Sequence, residues 1–71
     1  MISTAHVASQ AVYALKKSSH PALRHLRVEG NEGNLVISGK VSSYYLKQLA
    51  QETIMSLREG MQLVNKVDVV H

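Results

Sequence analysis

Four histidines, three tyrosines, eight Lys/Arg and five Asp/Glu carry most of the side-chain chemistry available to this chain of 71 residues, which has no cysteine. His20 and His25 are separated by four residues, a spacing that suits half of a zinc site. The other half would need cysteine, or acids and histidines converging on one point. Glu29, Glu32, Glu52, Glu59 and Asp68 are instead scattered along the chain. No metal or cofactor is expected, and His6, His20, His25 and His71 read as exposed loop residues. Nor do the acids form the paired carboxylates of general acid–base catalysis, and no serine sits in a nucleophile-elbow motif. An enzymatic role is therefore not expected.

Two other constellations point toward binding. Lys16, Lys17, His20, Arg24, His25 and Arg27 could form a basic patch between a first helix and a first strand. Such a patch would attract anionic phospholipid headgroups, more strongly once its histidines are protonated. The plainer alternative is a hydrophilic edge with no ligand. Tyr44 and Tyr45 open a second helix, and tyrosine suits an interface with either protein or headgroups. One of the two is expected to be half-buried and the other to meet a partner. Gly30-Asn31-Glu32-Gly33 spells G-x-x-G, which clamps a nucleic-acid backbone in KH domains. There it joins two helices and usually carries cations. Here it would join two strands and carries Glu32, so nucleic acid is not expected as a partner. The net charge of +3 favours weak attraction to anionic surfaces, and it equally suits an ordinary solvated surface.

These residues need elements to hold them, and the apolar pattern supplies five. Ser3 or Thr4 caps a helix in which Val7, Ala8, Ala11, Val12, Ala14 and Leu15 recur at helical spacing. Lys16 and Lys17 fall in its last turn, where they suit the helix dipole. Ser18-Ser19-His20-Pro21 breaks the pattern. Leu26 and Val28 alternate with Arg27 and Glu29 as a strand. The turn residues 30–34 follow, and then Leu35, Ile37, Gly39 and Val41 alternate in a second strand, so the two read as a hairpin. Gly39 in mid-strand implies a close approach, expected from a helix, Tyr44 or Tyr45. Ser42 or Ser43 caps the second helix, whose stripe is Leu46, Leu49, Ala50, Thr53, Ile54 and Leu57, with Gly60 as its C′ residue. Leu63, Val64, Val67, Val69 and Val70 form a third strand, with Asn65 at a bend.

The order is α-β-β-α-β, an α+β class in which both helices pack on one face of a three-stranded sheet. Leu26, Val28, Leu35, Ile37, Val41, Val67 and Val69 should be buried. Arg27, Glu29, Val36, Ser38, Lys40, Lys66, Asp68 and Val70 should line the other face. Pattern alone does not decide strand order. Residues 1–71 read as one domain. A chain this short buries only about 60% of its unfolded surface, so good packing, self-association or a partner would have to support it. No segment reaches the roughly 20 apolar residues of a membrane span. The start of the chain lacks the basic n-region and uninterrupted apolar core of a secretory signal.

From Leu15 to Val69 the chain resembles the BON domain, a short bacterial module described as phospholipid-binding. The resemblance rests on an ordered set: an opening helix, the proline-bearing His20-Pro21-Ala22-Leu23, and the strand end Leu26-Arg27-Val28. It continues through Leu35-Val36-Ile37-Ser38-Gly39-Lys40-Val41, then Ser42 or Ser43 with Lys47 and Ala50, and closes on Gly60, Val64-Asn65, Val67 and Val69. It implies a non-enzymatic binding module at lipid or envelope surfaces, and the family has no catalytic residues to carry over. The expected binding residues are Lys16, Lys17, Arg24, His25, Arg27, Tyr44 and Tyr45, and the expected partner is an anionic phospholipid headgroup. The alternative is a cytoplasmic module that binds another protein or itself. A complete chain would be expected in the cytoplasm and an excised domain in the envelope.

Overall fold

A computed structural model describes residues 3–70; His71, among the histidines read as exposed, lies outside them. Helix α1 (Thr4–Lys16) starts where the Ser3 side chain accepts a hydrogen bond from the His6 backbone N–H. Its apolar face buries Val7, Ala8, Ala11 and Leu15. A short 3-10 helix, Pro21–His25, follows where the sequence suggested only a loop. Pro21 is placed at its start, where a missing N–H costs nothing. Side chains three apart eclipse in this geometry, so Leu23, and Leu26 just beyond the helix, both reach the core. Leu26 is therefore not part of the first strand, which begins one residue later.

Strand β1 (Arg27–Asn31) and strand β2 (Asn34–Val41) form an antiparallel hairpin. The connection is only Glu32-Gly33, shorter than the turn read from residues 30–34. Both residues have positive φ, 49° and 85°, the backbone that two-residue hairpin turns require. Helix α2 (Tyr44–Met55) is capped by the Ser43 side chain, which accepts from the Leu46 N–H. It ends at Met55, so Leu57 lies outside it and Gly60 is not its C′ residue. Glu59 and Gly60, at φ 50° and 81°, form the turn into β3 (Gln62–Val69). That strand lies parallel to β2, giving the order β1-β2-β3 with β2 central.

The fold is thus α+β, with two helices on one face of a mixed three-stranded sheet, in chain order α-β-β-α-β. Leu35 and Ile37 from β2 are fully buried beneath Val7, Leu15, Ala50 and Ile54. Val28, Val41 and Val67 complete the sheet's contribution, while Val69, at the strand end, is only half-buried. The opposite face carries Arg27, Glu29, Lys40, Lys66, Asp68 and Val70 exposed, with Val36 and Ser38 half-covered.

Three local devices fix the packing. Gly30 lets α1 approach β1: a Cβ there would meet the Thr4 Cγ2 and stand 2.8 Å from the Thr4 carbonyl oxygen. Gly39, at φ 134°, accommodates the side chain of Leu26, whose Cδ2 lies 2.6 Å from where a Cβ would be; the neighbour is neither a helix nor a tyrosine. Asn65 does not bend β3. Its register continues unbroken opposite Ile37, and its carboxamide ties the strand to α2. Nδ2 donates to the Lys47 carbonyl at 3.1 Å and to Gln51 Oε1 at 3.3 Å, while Oδ1 accepts from the Val67 N–H at 3.0 Å.

Two stability predictions follow from these contacts. Gly30→Ala should destabilise by about 1–3 kcal/mol in urea denaturation. The paired Thr4→Ala change should restore only part of that, since the carbonyl contact remains. Asn65→Leu should cost about 1–3 kcal/mol by leaving the Val67 N–H unpaired. Faster amide exchange at Val67 would identify the cause, and unchanged exchange there would refute it.

Candidate functional site

The chain path brings one set of ends together. β1 begins, and β2 and β3 finish, at the same edge of the sheet. The 3-10 helix feeds β1 at this edge, and α2 departs from it after β2. Side-chain contacts close the assembly. Arg24 Nε donates to the Ser18 carbonyl at 2.9 Å, holding the 3-10 helix against the chain leaving α1. The His20 N–H donates to Ser18 Oγ at 3.1 Å. The His20 ring lies 6.1 Å from the Tyr45 ring, tilted by 56°, so the start of α2 rests on the same loop.

Every residue singled out as a binding candidate is exposed: Lys16, Lys17, Arg24, His25, Arg27, Tyr44 and Tyr45. They are contributed by the end of α1, the 3-10 helix, the first residue of β1 and the first turn of α2. Neither tyrosine is half-buried. Tyr44 is 71% and Tyr45 65% exposed, because the stripe of α2 that meets the sheet starts at Leu46. Lys40, near the end of β2, adds a further exposed cation. The acids are disposed differently. Glu29 and Glu32 run toward the hairpin tip, and Glu59 precedes β3 near that tip, where the Gln62 N–H donates to the Gly33 carbonyl. Glu52 lies on α2, and Asp68 alone stands toward the cationic edge, beside Lys40 in the register.

His20 and His25 sit at opposite ends of the 3-10 helix. Among the described residues no group of three His, Asp or Glu side chains converges as metal ligands would. Gly30 and Gly33 of the G-x-x-G sequence serve the close approach of α1 and the hairpin turn, respectively.

Sequence reasoning missed Tyr13. It is 64% exposed on α1, and the Lys17 ammonium lies 5.1 Å from its ring centroid, within cation–π range. The four-residue spacing of Tyr13 and Lys17 on a helix was the available signal. These two, with Gln10, Ala14 and Leu57, line an open cleft of about 440 Å³ between α1 and the segment after α2. All three tyrosines, the only Phe, Tyr or Trp residues of the chain, are therefore on the surface. No helix among the described residues is long and apolar enough to cross a membrane. No protein-family model matches the chain, and no curated protein matches it.

Proposed function

We propose that this chain is a non-enzymatic binding module that docks on anionic phospholipid surfaces through the edge bearing Lys16, Lys17, Arg24, His25 and Arg27. The observation that supports the reading is that the end of α1, the 3-10 helix, the start of β1 and the first turn of α2, which carry these exposed residues with Tyr44 and Tyr45, lie at one end of the sheet, where Asp68 is the acid, while Glu32 and Glu59 lie toward the hairpin tip. Cations near an anionic bilayer gain about 1 kcal/mol each. Tyrosine is suited to the headgroup layer, where its ring meets apolar carbon and its hydroxyl meets water. The four Lys and Arg residues Lys16, Lys17, Arg24 and Arg27, with two tyrosines, suffice for reversible attachment without any inserted helix. The resemblance to BON domains supports the same partner class.

Co-sedimentation with vesicles tests the proposal. Binding to phosphatidylglycerol-containing vesicles at low salt should exceed binding to pure phosphatidylcholine and should fall as salt screens the charges. Neutralising Arg27 or Lys16 to Gln should each weaken binding about fivefold, from a loss of about 1 kcal/mol per cation. Tyr44→Ser/Tyr45→Ser should weaken it further while leaving the salt dependence intact. Equal binding to neutral and anionic vesicles, or none at low salt, would refute this reading.

A further inference from the structure

The cleft beside α1 combines Lys17 of the cationic edge with residues that the bilayer reading does not use, Gln10, Tyr13, Ala14 and Leu57. It is lined by Ala14, Leu57, Tyr13, Gln10 and Lys17, and its surface is mostly apolar. Lys17 is the only charged residue among them, and no acid opposes it there. Leu57 is available as a wall because α2 stops at Met55. The Leu57 N–H then donates to the Ile54 carbonyl at 2.8 Å, which turns the chain and leaves the side chain half-buried off the helix. The volume of about 440 Å³ falls within the range of roughly 300–1,000 Å³ typical of small-molecule sites.

We propose that this cleft binds a single-chain anionic amphiphile, an alkyl chain with a carboxylate head. The chain would lie against Ala14, Leu57 and the Tyr13 ring. The head would sit at the Lys17 ammonium, which is already held over the Tyr13 ring. The charge of the lining selects the occupant. A neutral chain would gain the walls but leave Lys17 without a counter-charge, and a cationic one would be repelled by it. Lys17 is shared with the cationic edge, but Ala14 and Leu57 belong to the cleft alone, and changes there separate this proposal from docking on a bilayer.

Titration calorimetry with decanoate below its micellar concentration tests it, with decylammonium and decanol as comparators. Decanoate should bind with one-to-one stoichiometry, shift the Tyr13 ring resonances, and bind at least about tenfold more tightly than decylammonium, as expected for a charge-assisted contact. Lys17→Gln should remove the preference for decanoate over decanol. Ala14→Phe should fill the cleft and abolish decanoate binding while leaving the helical circular dichroism and binding to anionic vesicles unchanged. Leu57→Ser, outside any helix, provides a second variant that should also lose decanoate. Non-saturating decanoate heats, equal affinity for decylammonium, or full binding by folded Ala14→Phe would each overturn the assignment. Vesicle binding that persists without decanoate binding would remove the cleft proposal alone.

Discussion

Leu35 and Ile37, adjacent inward-facing residues of the central strand, have no solvent exposure, and the fold is organised by the need to keep them covered. β2 has a neighbour on each side, so its backbone groups are paired within the sheet, but its inward side chains can be shielded only by a second layer. One helix is too narrow to cover three strands, since helices pack about 8–10 Å apart and strands about 4.8 Å. Two helices match the width. α1 covers the β1 side and α2 the β3 side, with Val7, Leu15, Ala50 and Ile54 meeting over β2. Removing either helix would strip one flank of a core that, in a chain of this length, has no disulfide to fall back on.

That core is entirely aliphatic, and its composition decides what remains outside. Close helix–sheet approach relies on small residues: Ala8, Ala11 and Ala50 are buried on the helices, and Gly30 admits Thr4. All three tyrosines are at outward helix positions and stay more than half exposed. Tyr13 has the Lys17 ammonium over its ring and Tyr45 lies beside the His20 ring.

The elements that bury long, periodic apolar stretches could be read from sequence almost to the residue. β2 alternates over its full length, and α1 and α2 each start at the serine cap that the side-chain chemistry indicates. Features that depend on tertiary partners could not be read in the same way. Leu23 and Leu26 are too few to reveal a 3-10 turn by periodicity, and they declare themselves only when Gly39 is seen to receive Leu26. Asn65 resembles a strand breaker until Lys47 and Gln51 supply partners for its amide. Leu57 continues the stripe of α2 on paper, but the helix ends two residues earlier, and the side chain becomes a cleft wall instead. For the candidate site, the exposure of Lys16, Lys17, Arg24, His25 and Arg27 follows from their place at a helix end, in the 3-10 segment and at a strand start. The exposure of both Tyr44 and Tyr45 was not, because it depends on where the stripe of α2 touches the sheet.

The two helices also bring opposite dipole ends to the cationic edge, which gives its charges unequal roles. α1 ends there, so its C-terminal carbonyls contribute partial negative charge, and Lys16 in the last turn with Lys17 at the cap offsets it. α2 begins there with no acid in its first turn, so its N-terminal amides add partial positive charge. Lys16 and Lys17 therefore stabilise the end of α1. Arg27, at the start of a strand, has no helix end to serve, and its charge remains available to a ligand. Arg24 serves the chain leaving α1 through its Nε donation to the Ser18 carbonyl, so of these four cations Arg27 alone is placed on a strand.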